Sequence, residues 1–267
     1  MTATLTPGEI KELESSLGFR SNTVILRANP IQEHHKYIRY AVNLLSNTCF
    51  TFNMVSGCKD PPVAMAPMGR RSMVSRGLVH LLQDVYLNDY VASFKDKRAV
   101  KHALFMFKNE DDLVDVNDFL CELLPELAED PSCCPWVMNH SSIGAATAES
   151  IRKRSGNISL YLSTAVMLMG IDCANIDLVV MVRPFSMLHS MVQASGRGGR
   201  KMLEEFRRKV VFYLLFNNSD ISTNMDVSEE VRDFCRTDGC LKLALMEYFG
   251  TGGETGGGWC CSNCDQL

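Results

Sequence analysis

The chain of 267 residues is 46% hydrophobic and 22% charged, an ordinary globular composition with length for one large domain or two modest ones. A formal net charge of −4 excludes a polycation that attracts nucleic acid through its global field, so any such partner requires a local basic surface. No basic-then-apolar leader opens the chain, and the apolar run at 158–171 is too short to span a bilayer. The expectation is an intracellular protein with no membrane partner, nuclear if the source is eukaryotic and cytoplasmic otherwise. Eleven cysteines are an odd number, mostly placed singly in apolar runs, and read as core residues or metal ligands rather than disulfides.

In chain order, Pro7 and Gly8 precede a predicted helix from Glu9 to Leu17, with Ile10, Leu13 and Leu17 on one face and Gly18 as its stop. Thr23 to Leu26 reads as a short strand, and Tyr37 to Leu45 reads equally as helix or strand. Residues 45–100 are punctuated by Asp60-Pro61-Pro62 and Pro67-Met68-Gly69, with helical spacing from Leu78 to Val91, and offer no functional motif. A regular alternation follows. Strands are expected at His102 to Phe107, Trp136 to Met138, Ile158 to Leu162, Leu178 to Val182 and Val210 to Phe216. Helices are expected at Asp111 to Leu127, Thr147 to Arg154 and Ser186 to Ala194. Short continuous apolar strands alternating with helices predict an α/β fold, a parallel sheet covered on both faces, whose ligands meet loops at the carboxyl ends of strands. Beyond Asn217, helices are expected at Val227 to Phe234 and Leu241 to Tyr248, then a glycine-rich linker at 252–258 and a terminal cysteine group.

The stretch Gln193-Ala194-Ser195-Gly196-Arg197-Gly198-Gly199-Arg200 carries the most chemistry. Arginine is a planar, permanently charged fork suited to phosphate oxygens, and glycine lets the backbone turn tightly without holding an anion at a distance. Glycine-arginine strings taken alone are more often flexible surface, so the surroundings decide. Basic clusters exist at Arg152-Lys153-Arg154 and at Arg197, Arg200, Lys201, Arg207, Arg208 and Lys209.

Three landmarks occur in fixed order: Ser163 to Asp172 directly after a strand, Gln193 to Arg200, and Cys240 to Gly250 followed by Cys261-Ser262-Asn263-Cys264. Together they resemble the second RecA-like domain and the zinc-binding module of the RecQ family of DNA helicases. Leu104 to Leu120, Asn139-His140-Ser141-Ser142-Ile143 and Thr2-Ala3-Thr4 are similar to further, less specific family segments. The resemblance implies a RecA-like parallel sheet followed by a small helical zinc-binding module. It divides the chain into a first-domain remnant at 1–22, a second RecA-like domain at 23–216 with an unassigned insertion near 45–100, and a truncated zinc module at 217–267. It implies Arg197 and Arg200 as arginine fingers on a transferring phosphate, with Gln193, Gly170, Asp172 and Gly196 on the nucleotide side. Thr164, Lys108, Asn109 and His140 would meet DNA, single-stranded or forked. Cys240, Cys261 and Cys264 would bind zinc, with Cys260 or Cys235 in place of the family's last ligand, whose position holds Leu267.

The sequence also departs from the family. It has no Gly-x-x-x-x-Gly-Lys-Ser/Thr loop and no Asp-Glu-x-His motif, so ATP and magnesium would be bound mainly by a first RecA-like domain acting in cis or in trans. The chain alone is therefore expected to be catalytically incomplete, although the intact protein would unwind DNA 3′ to 5′ with ATP. Lys108-Asn109-Glu110 stands where Asn-Ser-Arg is usual, Met167 and Leu168 replace a phenylalanine and a glycine, and Ala194 replaces a glutamate. The alternative is a module that binds nucleic acid without turnover, or that lends its arginine face to another ATPase.

Overall fold

A computed structural model describes residues 6–17, 35–41, 88, 90, 92, 102–129, 134–141, 158–165, 176–199, 210–216, 218–251 and 260–264. In order, its elements are α1 (Pro7–Leu17), β1 (His35–Ala41), β2 (His102–Phe107), α2 (Glu110–Leu123), α3 (Pro125–Ala128), β3 (Trp136–Asn139), β4 (Leu160–Ser163), β5 (Ile176–Val182), α4 (Leu188–Ser195), β6 (Val210–Phe216), α5 (Glu229–Arg236) and α6 (Leu241–Tyr248). The strands form one six-stranded sheet in the order β1-β6-β5-β2-β4-β3, and every neighbouring pair is parallel.

The period-2 alternation of side chains divides the core between two faces. Leu104, Met106, Tyr161, Val179, Met181, Phe212 and Leu214 point to one face, where Leu188, Met191 and Val192 of α4 cover them. Phe105, Phe107, Leu160, Leu162, Val180 and Val182 point to the other, under Leu113, Val116, Phe119 and Leu120 of α2. A parallel sheet covered on both faces by helices is the architecture the apolar strands predict.

The first face continues without a break into the last quarter of the chain. Val231 and Phe234 of α5, Leu241 and Leu245 of α6, and Cys260 and Cys261 belong to the same buried cluster as the sheet residues. The cysteine segment is thus anchored on the core of the sheet.

Several elements differ from expectation, each for a local reason. The stretch from Asp111 to Leu127 is two helices, because Leu124 precedes Pro125 and leaves the helical region at φ −131° and ψ 56°. Helix α1 begins at Pro7, where Thr6 and Glu9 form a reciprocal cap: the Thr6 amide and hydroxyl donate to Glu9 Oε2 at 2.7 and 2.8 Å, and the Glu9 amide donates back to Thr6 Oγ1 at 3.3 Å. Of the ambiguous segment Tyr37 to Leu45, residues 37–41 belong to strand β1, paired with β6, and 42–45 lie outside the described residues. Tyr90, from the stretch without a motif, is 1% exposed in the α2-side core, and its hydroxyl lies 3.1 Å from Ser159 Oγ. The expected strand at Thr23 to Leu26, the helix at Thr147 to Arg154 and the glycine-rich linker lie outside the described residues.

Candidate functional site

The parallel sheet fixes which residues can share an edge. Lys108 and Asn109 follow β2, His140 follows β3 and Thr164 follows β4, so all four stand at the carboxyl edge. Two backbone bonds tie these ends together: the Thr164 amide donates to the Asn139 carbonyl at 3.1 Å, and the Lys108 amide donates to the Val182 carbonyl at 3.3 Å. Ser163 Oγ donates to the same Asn139 carbonyl at 2.8 Å.

The Gly-Arg turn lies elsewhere. Helix α4 ends at Ser195, and the Gly199 amide donates to the carbonyl of Ile176, the first residue of β5, at 3.0 Å. The turn therefore sits at the amino edge, about 20 Å along a seven-residue strand from the carboxyl edge. The physical reason is direction: α4 starts beyond the carboxyl end of β5 and runs back along the sheet to reach the start of β6.

The glycines of the turn have separate causes. Gly199 is left-handed at φ 69°. A Cβ on Gly198 would lie 2.4 Å from Val210 Cγ1, so that glycine allows close packing on β6. Gly196 caps α4 at φ −67° with its amide bonded to the Val192 carbonyl, and a Cβ there would meet nothing closer than 3.4 Å. Arg197 is 7% exposed, held within the fold rather than projecting, and Gln193 is half-buried. Arg200, Gly170 and Asp172 lie outside the described residues, as do Lys201 and the basic clusters at 152–154 and 207–209.

Among the described residues at the carboxyl edge, Arg183 is paired with two acids and Lys108 is held by a backbone carbonyl. Arg183, directly after β5 and left-handed at φ 65°, donates from Nε to Asp112 at 2.7 Å and from Nη1 to Asp220 at 2.6 Å. Burial by itself would depress the Arg183 pKa. The hydrogen bond and charge of Asp112, with the charge and hydrogen bond of Asp220, outweigh it and hold the group above its ordinary value. Lys108 Nζ donates to the Asp226 carbonyl at 3.1 Å. His140 Nδ1 lies 3.4 Å from Glu110 Oε1, which also accepts from Ser141 Oγ at 3.0 Å. Arg183 with its two aspartates escaped the sequence reading, because residues 112, 183 and 220 have no sequence spacing that joins them.

The second candidate centre is the cysteine group. Cys240 is the N-cap residue of α6, and Cys260, Cys261 and Cys264 approach it from the end of the chain. All four Sγ atoms lie within 4.8 Å of one another, with Cys240–Cys260 at 3.3 Å, Cys261–Cys264 at 3.5 Å and Cys240–Cys261 at 3.9 Å. Four thiolates around a tetrahedral zinc with Zn–S of about 2.3 Å stand about 3.8 Å apart, so the set has the size and chemistry of a closed structural site. Cys235, the other sequence candidate, is buried in the core and does not join the group.

The loop holding these thiols is itself secured: Asn263 Nδ2 donates to the carbonyls of Thr237 and Gly239 at 3.1 and 2.7 Å. Burial raises the Cys261 thiol pKa, but backbone amides around it, the Leu241 amide at 3.4 Å among them, bring it below its ordinary value. Burial pushes the Cys260 thiol up, and the Cys264 thiol is pushed up to about 11 by burial and its thiol neighbours.

Residues 92–202 match the helicase conserved C-terminal domain. Dbp5 of S. cerevisiae bound to RNA and ADP BeF3 superposes with a TM-score of 0.51 at 13% identity, over 93% of this chain and 48% of that one. The Mycobacterium smegmatis helicase Lhr bound to ssDNA and AMP-PNP gives a TM-score of 0.44 at 14% identity, over 70% of this chain and 20% of that one. No curated protein is significantly similar in sequence. At these identities the first likeness speaks to the fold alone, and the second is too low to add to it. The fold is a RecA-like parallel sheet that matches a helicase C-terminal domain, with a cysteine cluster near the carboxyl terminus. The chain spans less than half the length of each of these two solved chains. Among the described residues no helix is long and apolar enough to cross a membrane.

Proposed function

We propose that this chain is the second RecA-like domain of a RecQ-like, ATP-dependent DNA helicase that unwinds DNA 3′ to 5′ in the intact protein, and that the two edges of its sheet divide the work. The observation that carries this reading is the separation of the Gly-Arg turn, tied to the amino end of β5, from Thr164, Lys108, Asn109 and His140 at the carboxyl edge. The amino edge, with Gln193, Gly196 and Arg197, faces a nucleotide held mainly by a first RecA-like domain, and Arg200, Gly170 and Asp172 are assigned to the same nucleotide by the family resemblance alone. ATP with magnesium supplies the phosphoryl group. Arg197 and Arg200 stabilise charge developing on it, an effect worth on the order of a thousandfold or more in rate. The carboxyl edge binds the nucleic-acid backbone, with the Thr164 hydroxyl as a donor to phosphate.

Cys240, Cys260, Cys261 and Cys264 hold one structural zinc, which would tie the amino end of α6 to the chain terminus. On this reading residues 1–22 belong to the first domain, 23–216 to the second and 217–267 to a zinc module docked on its core.

A second reading, nucleic-acid binding or trans-acting ATPase support without turnover, draws on the burial of Arg197 at 7% exposure. A finger must reach a phosphate outside its own domain. One preparation separates the two: ATP hydrolysis measured with and without single-stranded DNA, for the chain alone and with a separately expressed first RecA-like domain. Turnover that requires both proteins and disappears in Arg200→Ala is the expected result. Turnover unaffected by Arg200→Ala removes the finger assignment, and DNA binding without turnover under any addition selects the second reading.

A further inference from the structure

Among the described residues of the carboxyl edge, cations and donors are engaged by the protein's own groups. Among the described residues there, Arg183 is shared by Asp112 and Asp220, and Lys108 Nζ is held by the Asp226 carbonyl. Asp226 is fixed in turn by Ser186 Oγ, which donates to its Oδ2 at 2.8 Å. Between β2 and β3 the position is filled from within. Glu110 Oε1 accepts from Ser141 Oγ at 3.0 Å and lies 3.4 Å from His140 Nδ1, while the Glu110 side chain stays 44% exposed. The Ser141 hydroxyl, which could donate to a phosphate oxygen, is thus directed at the protein's own carboxylate, and His140 Nδ1 is buried beside the same oxygen.

We infer that Glu110 sets how strongly this edge holds a nucleic-acid backbone: its carboxylate engages His140 and Ser141 and repels an incoming phosphate. The inference rests on the reading of the carboxyl edge as the nucleic-acid face, and goes beyond it by assigning a limiting role to an acid. Glu110 is the first residue of α2, directly after Lys108 and Asn109, and its side chain reaches Ser141 and His140 just beyond β3. A phosphate approaching His140 or Ser141 therefore passes within range of the Glu110 charge, inside the roughly 8–10 Å screening length of ordinary salt. Like-charge juxtaposition lowers affinity, and removing it raises affinity without any new contact. The neutral side-chain amide introduced by Glu110→Gln could still accept from Ser141, so that variant isolates charge from hydrogen bonding.

The test uses the full chain and fluorescence anisotropy with labelled oligothymidine over a series of salt concentrations. Glu110→Gln is expected to tighten binding about threefold, the scale of one exposed charge interaction. Glu110→Arg is expected to tighten it about tenfold and to steepen the salt dependence by about one counterion. Thr164→Val, which removes a donor at the same edge, is expected to weaken binding. If both Glu110 variants bind equally to or more weakly than the parent while Thr164→Val weakens binding, the role of Glu110 is overturned and the edge assignment stands. If none of the three changes binding, the edge assignment falls with it. If the parent shows no binding, its appearance in Glu110→Arg supports the inference, and its absence in all variants refutes it.

Discussion

Arg183→Met removes the guanidinium that Asp112 and Asp220 share, and its cost follows from the geometry. The arginine side chain is 20% exposed, the two carboxylates only 7% and 4%, and the contacts are 2.7 and 2.6 Å. Deleting one partner of a buried ion pair costs about 3–5 kcal/mol, because the remaining charge is left without compensation. Here two acids lose their shared cation, but Arg183 itself borders solvent, so water reaches the gap and about 3 kcal/mol is the expected loss. For a domain of this size about 3 kcal/mol corresponds to a fall in Tm of about 6–12 °C, read by thermal unfolding followed by circular dichroism. Arg183→Gly should cost about 1 kcal/mol less than Arg183→Met, since glycine relieves the left-handed backbone at φ 65°. Neutralising both acids in the methionine background, as Asp112→Asn with Asp220→Asn, should recover at least half of the loss. A single-variant loss under about 1 kcal/mol, or no recovery in the triple variant, would refute the reasoning that stranded charge sets the cost.

Two further outcomes follow from the cysteine group and the first helix. One zinc per chain should be found by elemental analysis, Co(II) should give tetrahedral thiolate absorption bands, and chelation should lower Tm; Cys264→Ser should abolish those bands, whereas Cys235→Ser should leave them intact. Acid should loosen α1 selectively. The Thr6 amide bonded to Glu9 holds that carboxyl below its ordinary value, so its contribution is present above the unfolded pKa and is lost as pH falls through the lower folded one. Amide protection across residues 8–12, corrected for the intrinsic exchange rate at each pH, should fall over that window in the parent protein. Thr6→Ala should lower it already at neutral pH, for a cap worth about 1 kcal/mol.

The elements legible in the sequence are those whose causes are local. His102 to Phe107, Val210 to Phe216 and Leu241 to Tyr248 are predicted with the bounds the structure gives them, because an apolar run or a 3.6-residue period is written in adjacent residues. Cys261 and Cys264 could be nominated from their spacing, and Cys240 and Cys260 only through the family resemblance. Whether Cys260 or Cys235 stood with the other three depended on how the chain end returns to α6. Glu110 could be recognised as out of place in its turn, yet its contacts with His140 and Ser141 required β2 and β3 to sit one strand apart in the sheet.

By itself, then, the sequence determined a parallel α/β sheet, the order of its motifs and the residue types gathered in the Gly-Arg stretch. Tertiary structure alone decided that the stretch is tied through Gly199 to the start of β5, that Gly198 is required by Val210, and that Arg183 is shared by acids 71 and 37 residues away. The division has one physical cause: periodicity and turn chemistry act over a few residues, whereas strand order and helix direction bring distant side chains to one end of the sheet.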